Sequence, residues 1–342
     1  KNLVAKIPDN VQFQHACFAT LGSIALNSIR ISEIGIGDIV AVIGLGIVGQ
    51  LCTQLVNLSG GVAIGIDLIP DRVEMALQMG AEHGIIADES TEENVLSLTN
   101  GKGVDCVIVA AAAKTAQPSM QALRICRDRG RLVIVGAVDL QFPWDEMYMK
   151  EIKLFMSRAY GPGSYDEKYE KQGHDYPYGY IRWTEKRNME EFLRLVSKGQ
   201  VKIEPLITHR YSLEEAQQAY QTIMEPSSKS LAILLQYPAA EEQTELKTRK
   251  AIKKVVVKPE TGSGDSTLRV ALVGAGNIVR WAHLPSIKKI PGVVLHAVYS
   301  SSGVRGKSYG VRYKVNYCTT DYQQVLDDPD IDIALIASRH QH

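Results

Sequence analysis

Three glycines and one acid frame the chemistry open to this chain. Val40-Ala41-Val42-Ile43 runs into Gly44-Leu45-Gly46-Ile47-Val48-Gly49, and an apolar helical pattern follows. That order of strand, tight turn and helix start is what binding a dinucleotide pyrophosphate requires. Gly44 permits the turn, Gly46 lets phosphates approach the backbone, and Gly49 lets the helix pack on the strand. The N–H groups around Leu45, Ile47 and Val48 then face the phosphates with a favourable dipole. A second strand, Val62 to Ile66, ends in Asp67, placed to accept both hydroxyls of an adenosine ribose. A buried strand–helix turn without a ligand is the competing reading. Asp67 argues for NAD over NADP, because a 2′-phosphate facing a carboxylate is repelled. Arg72 can lie along the adenine face or serve as a solvated helix residue. Ala110, Ala111, Gly136 and Val138 follow later strands, so they are expected to border the nicotinamide half.

A second group of chemically able side chains fills Ser157 to Trp183: Arg158, Tyr160, Tyr165, Tyr169, His174, Tyr176, Tyr180, Arg182 and Trp183. Hydroxylated rings and guanidiniums suit a sugar or sugar acid, through stacking and bidentate bonds. Arg158, Tyr160 and Tyr165 are expected near the nicotinamide, with Arg182 further out. His174 is a candidate acid or base, also further out. A rigid structural loop is the alternative.

The elements that must position these residues read as alternating strands and helices. An apolar helix around Ala16 to Ile34 leads into the glycine-motif strand. Pro70 to Leu77 is helical and stops at Gly80, and Ile85-Ile86 is a short strand. Ser90-Thr91-Glu92-Glu93 reads as a capping box opening a helix to Thr99. Val104 to Ala110 is a buried strand, Gln117 to Arg129 a helix, and Arg131 to Val135 another strand. Ile152 to Met156 is a strand, and Asn188 to Lys198 a helix closed by Gly199. Ser212 to Glu215 is a second capping box before a helix to Met224, and Leu231 to Leu235 is a strand. The fold class is α/β, a Rossmann-type doubly wound parallel sheet. From Pro238 to Thr267 the composition suits a linker with one short strand at Val255-Val256-Val257. The opening motif then returns: Val270 to Val273 leads into Gly274-Ala275-Gly276-Asn277, the start of a second Rossmann domain. Gly274, Gly276 and Asn277 are its cofactor candidates. The strand Val293 to Val298 ends in Ser300-Ser301-Ser302 with no acid. With Arg305 and Lys307 nearby, this copy is open to NADP or NAD, or is a polar loop without a ligand. Domain bounds are therefore 1–237, a linker at 238–267, and 268–342, the last an incomplete copy.

The 342 residues carry a formal net charge of zero and 45% hydrophobic residues, so there is no electrostatic case for nucleic acid or a membrane surface. No apolar run approaches the roughly 20 residues that span a bilayer. The chain begins at Lys1, which reads as an internal point of a longer protein. Its five cysteines (Cys17, Cys52, Cys106, Cys126 and Cys318) lack paired spacing and read as reduced, mostly buried thiols of a cytoplasmic protein. No Cys/His spacing suits zinc.

By Gly44–Gly49, Asp67, Leu206-Ile207-Thr208-His209 and the unit from Ser212 to Leu235, residues 1–237 resemble the medium-chain (alcohol) dehydrogenase/reductase superfamily. From Arg269 onward, Gly274–Asn277, Asp321-Tyr322 and Asp328-Pro329-Asp330-Ile331-Asp332 resemble the start of a glucose-fructose oxidoreductase/inositol dehydrogenase-type domain. Together with the loop from Tyr160-Gly161-Pro162-Gly163 to Arg182-Trp183, they resemble bacterial bi-domain oxidoreductases fusing these halves. The resemblance implies hydride transfer between NAD and an alcohol or carbonyl, with a sugar or polysaccharide-derived substrate in view. Three departures stand out. Only a remnant of the dehydrogenases' catalytic domain precedes the glycine motif. A zinc-ligand cysteine would stand about Ala19 to Leu21, and Cys17 is out of register and reads as a core thiol, so no metal is expected. In the second copy Val279 replaces the third glycine, and the catalytic Lys-Pro region would lie past residue 342. The expected partner is a small-molecule substrate, and a homo-oligomer is allowed. A non-catalytic dinucleotide-binding scaffold or sensor is the alternative. A zinc-free quinone- or enoyl-reductase activity is a third reading, disfavoured by Asp67.

Overall fold

In a computed structural model the chain divides into two compact units, Lys1–Tyr237 and Pro238–His342. The structure describes residues 2–237, 254–256, 267–274, 276, 279, 283–287 and 289–337. In the first unit α1 (Phe13–Ala16) and α2 (Ala19–Ser32) precede β1 (Ile39–Ile43), α3 (Ile47–Leu58), β2 (Val62–Asp67), α4 (Pro70–Gln78) and β3 (His83–Ile86). Next come α5 (Thr91–Leu98), β4 (Val104–Val109), α6 (Gln117–Ile125), β5 (Cys126–Ile134), α7 (Trp144–Met149) and β6 (Lys153–Met156). The unit ends with α8 (Glu167–Glu170), α9 (Glu185–Ser197), β7 (Ile207–Ser212), α10 (Ala216–Met224) and β8 (Ala232–Gln236).

Strands β1 to β6 form one sheet in the order β3-β2-β1-β4-β5-β6, every neighbouring pair parallel. The side-chain period of two sends β1 to both faces. Val40 and Val42 join the core that includes Leu51, Leu55 and Phe192, whereas Ala41 and Ile43 join the core with Ala122, Leu123 and Ile125. Both faces are therefore buried, which is why the strands read as continuous apolar runs. The chain runs outward from β1 in both directions, and this reversal opens a crevice at the carboxyl ends of the strands. Strands β7 and β8 pair in parallel as a separate two-stranded sheet.

In the second unit β9 (Lys254–Val256), β10 (Leu268–Val273), α11 (Leu284–Ile287), β11 (Val293–Tyr299), α12 (Gly303–Tyr313), β12 (Tyr317–Thr319), α13 (Gln323–Leu326) and β13 (Ile333–Ile336) build a sheet ordered β13-β10-β11-β12-β9. Only β9 runs antiparallel, against β12. The short strand expected inside the linker is thus part of this sheet; Val257 lies outside the described residues.

Some local readings need correction. The helix expected to reach Arg129 stops at Ile125, and β5 begins at Cys126. The Lys150 ammonium donates to the carbonyls of Leu123, Arg124 and Cys126 at 2.9–3.0 Å, satisfying the helix end and fixing where it stops. At the first expected capping box Ser90 has helical dihedrals and caps nothing. Asp88 organises that turn instead: its amide donates to Thr91 Oγ1 and its carboxylate accepts from Ser90 Oγ. The second box forms by half, with Glu215 Oε2 accepting from the Ser212 amide and hydroxyl, both at 2.9 Å. Helix α9 begins at Glu185, before the expected Asn188, because Thr184 occupies the N-cap.

Candidate dinucleotide cleft and a second polar cavity

The first site is built at the β1–α3 turn. Gly44 has φ +90°, and a Cβ there would stand 2.6 Å from the Ala111 backbone; at Gly49 it would meet the Gly44 carbonyl oxygen at 1.9 Å. These two glycines are required by packing. Gly46 differs, because a Cβ there meets nothing within 4 Å. It faces open space at the N-cap of α3, and no side chain caps that helix. The unpaired first-turn amides and the helix dipole make this a cradle for a phosphate anion.

Asp67, only 8% exposed, closes one side. Its Oδ2 accepts from the Leu45 amide at 2.6 Å and its Oδ1 from the Ile69 amide at 2.9 Å. Arg72 Nη1 lies 3.7 Å from Oδ2. A carboxylate has about four acceptor positions, so two remain for ribose hydroxyls. Gly44, Gly46, Asp67, Arg72, Ala110 and Ala111 all line one cavity of about 390 Å3. Gly136 and Val138 do not line it. A Cβ at Gly136 would meet the Ala111 oxygen at 1.9 Å, so this glycine backs the alanine wall. Val138 packs beside the second core. Leu45 is buried, with its amide on Asp67, while Ile47 and Val48 open α3.

Reasoning from sequence missed Gln50, which is fully buried in α3. Its Nε2 donates to the Arg72 carbonyl at 2.7 Å and the Leu45 carbonyl at 3.3 Å, tying the glycine turn to α4. The signal was an amide just past the third glycine in an otherwise apolar helix start.

The loop from Ser157 to Trp183 follows β6 and forms a second cavity, of about 460 Å3, against α2. Of the four residues expected to handle substrate, Arg158 and Tyr165 line it, and Tyr160 and His174 do not. Tyr160 is held through its carbonyl, which accepts from Asn188 Nδ2 at 2.8 Å. His174 is exposed, its amide on the Lys168 carbonyl. Much of the loop is structural. Tyr169 is buried, donates to Thr184 Oγ1 at 2.9 Å and stacks on Tyr176 at 5.4 Å. Trp183 lies between the Arg30 and Arg182 guanidiniums, 3.4 and 3.7 Å from its ring centroid, so Arg182 serves a stack and not the cavity. Burial lowers Arg30 to about 10. Also missed were Asn27, Ser164 and Asp166, which line the cavity. Asn27 was legible as a polar residue inside an apolar helix.

Behind Ser164 sits Glu185, fully buried at the start of α9. Its Oε2 accepts from Ser164 Oγ at 3.3 Å, and its Oε1 has no partner. Burial, aided by Glu170, pushes its carboxyl up to about 7 against the opposing Ser164 bond.

In the second unit Gly274 has φ +104° and donates to the Tyr299 carbonyl, while a Cβ at Gly276 would meet only the Ala337 oxygen, at 4.0 Å. Asn277 lies outside the described residues. Among the described residues one group has metal-ligand spacing: His296, Asp328 and Asp330, in the second unit. In the first unit Cys17 is exposed, not the core thiol expected, and donates to the Gln14 carbonyl at 3.2 Å; His15 pairs with Glu204 at 2.9 Å. These residues do not fit a zinc site. No helix among the described residues is long and apolar enough to cross a membrane.

Residues 48–172 match the family model for zinc-binding dehydrogenases, and residues 268–342 match that of an oxidoreductase family with an NAD-binding Rossmann fold. The chain is 26% identical to D-xylulose reductase of Saccharomyces cerevisiae over 247 residues, covering 70% of this chain and 62% of that protein. It is 28% identical to sorbitol dehydrogenase of Bacillus subtilis over 241 residues, 70% of this chain and 61% of the relative. Among solved structures, alcohol dehydrogenase TADH from Thermus sp. ATN1 superposes with a TM-score of 0.57 at 26% identity, over 68% of this chain and 62% of that one. The chain thus spans about six-tenths of the length of these curated relatives. It joins a medium-chain (alcohol) dehydrogenase-like half to a glucose-fructose oxidoreductase/inositol dehydrogenase-like half.

Proposed function

We propose that the first unit is an NAD-dependent oxidoreductase that moves hydride between the nicotinamide and an alcohol or carbonyl carbon of a sugar or polyol. The observation that carries this reading is the single cavity joining Gly46 and Asp67 to Ala110 and Ala111. Gly46 and the start of α3 would hold the pyrophosphate, and Asp67 the adenosine ribose. Ala110 and Ala111 would leave room for the nicotinamide half, backed by Gly136. Bound there, the nicotinamide supplies a hydride acceptor or donor. The protein's own part is to orient that ring, exclude water and present the substrate carbon. Arg158 and Tyr165 would hold the substrate from the cavity against α2. The names of the relatives, reductases and dehydrogenases of xylulose and sorbitol, support the polyol class. We assign no zinc to this site, because the described residues bring no ligand set together there. The second unit would take NADP or NAD at Gly274 and Gly276.

The rival reading, a dinucleotide-binding scaffold or sensor, draws on one observation: Tyr160 and His174 stand outside the cavities. Fluorescence titration with NADH, followed by NADH formation from NAD with a polyol panel, decides between them. The enzyme reading expects both binding and turnover; binding without turnover of any polyol overturns it.

A further inference from the structure

The cavity beside β6 differs in chemistry from the dinucleotide cleft. Its volume, about 460 Å3, falls within the roughly 300–1,000 Å3 usual for small-molecule sites. Where alanines, glycines and aliphatic side chains make up most of the cleft, this wall presents Asn27, Arg158, Ser164, Tyr165, Asp166 and Tyr176.

The wall carries one cation and one carboxylate, Arg158 and Asp166, and among the described residues the two form no ion pair. Asp166 is occupied: it accepts from the Tyr176 hydroxyl and from the Lys168 amide. These bonds, the Tyr176 one first, keep its carboxyl below the usual carboxylate range. The Arg158 carbonyl accepts from the Gly161 amide, whereas its guanidinium has no ion pair or hydrogen bond among the described residues. Its guanidinium lies 5.0 Å from the Tyr165 ring centroid, so one face is covered and the N–H edges stay available. A guanidinium in that state is a bidentate receptor for a carboxylate or phosphate.

The backbone fixes where this wall stands. Ala159, Gly161, Gly163 and Tyr165 have φ of +44°, +103°, +106° and +63°. Alternate residues in the left-handed region curl the chain tightly, and the amides of Gly161, Ser164 and Asp166 close turns on the carbonyls of Arg158, Gly161 and Gly163. The Tyr165 N–H donates to Glu170 Oε1 at 2.7 Å. The curl is held in place: Gly161 lies against Asn27 and Asn188, and Gly163 against the buried Tyr169 ring.

We infer that this cavity binds a polyol bearing an anionic group, with that carboxylate or phosphate on Arg158 and its hydroxyls among Asn27, Ser164 and Tyr176. The inference names the substrate class of the proposed dehydrogenase and rests on that reading for the reacting carbon. The binding itself does not depend on it.

Isothermal titration of the full chain with D-gluconate, D-glucitol 6-phosphate and D-glucitol tests this at one fixed ionic strength. At least one of the two anions should bind about tenfold or more tightly than neutral D-glucitol, and the difference between them tells carboxylate from phosphate. Arg158→Gln should abolish that advantage while leaving NADH titration unchanged, which shows the unit is still folded. Equal binding of D-glucitol, an anion preference that survives Arg158→Gln, or no binding of any of the three overturns the inference. Should gluconate bind and NADH not, the dehydrogenase reading falls while this site stands.

Discussion

Asp67 serves two partners at once. Its carboxylate holds the glycine turn through the Leu45 amide and faces the cleft where a ribose would lie. Hydrogen bonds to a charged group contribute about 1.5–3 kcal/mol each, so Asp67→Ser should weaken NADH binding roughly 10- to 100-fold. The same change should narrow the gap to NADPH. Fluorescence titration checks both, and equal affinity of the unmutated chain for the two cofactors would refute the assignment. Glu185 makes a different prediction. Its carboxyl sits at about 7 when folded against an ordinary 4.5, so between those pH values the folded state keeps a proton the unfolded chain has released. Stability from this group is therefore fully present below about pH 4.5 and is lost as pH rises toward 7. Urea midpoints should fall across that window, and Glu185→Gln should flatten the fall. Equal slopes for variant and parent would disprove the shift. Neither Glu185 nor its bond to Ser164 was legible in the sequence, because a glutamate in the first turn of a polar helix ordinarily faces water.

At the scale of elements, the strands next to the glycine motif were legible because β1, β2 and β4 are apolar runs buried on both faces, and α4 because Gly80 closes it. What the sequence hid were contacts between distant segments. Gly22 in α2 is one: a Cβ there would stand 2.2–2.3 Å from the buried Phe192 ring of α9. Glycine normally weakens a helix interior, so nothing local signals that two helices meet here. Overpacking of this kind typically costs about 1–3 kcal/mol, and Gly22→Ala should lower the thermal midpoint accordingly. A midpoint equal to or above the parent's would mean α9 can shift away at no cost. The same distance from local signals explains the 157–183 loop. Its tyrosines and arginines looked like substrate groups, yet Tyr169, Arg182 and Trp183 are spent on internal stacks and a buried hydrogen bond. Residue type alone does not divide a loop's aromatic rings between a wall and a scaffold.

At the scale of the whole chain, the question is what metal it carries. The family model matched by residues 48–172 is named for zinc, whereas the described part of the first unit assembles no ligand set. The group with ligand spacing lies in the second unit, and its atoms are engaged. His296 Nε2 is 3.5 Å from Asp328 Oδ2, which also accepts from the Tyr317 hydroxyl at 2.6 Å. Asp330 pairs with the Arg269 guanidinium at 2.5 Å. A divalent ion there would have to displace the Arg269 guanidinium from Asp330 and compete with the Tyr317 hydroxyl for Asp328. Structural zinc also prefers four ligands of nitrogen and sulfur type, and this group offers one nitrogen. Protein prepared without chelators should therefore contain well under one zinc per chain by elemental analysis. Zinc near one per chain that disappears in His296→Gln would place the metal in the second unit and leave the first unit metal-free. Zinc that persists in that variant would contradict the proposal that the first unit works without it.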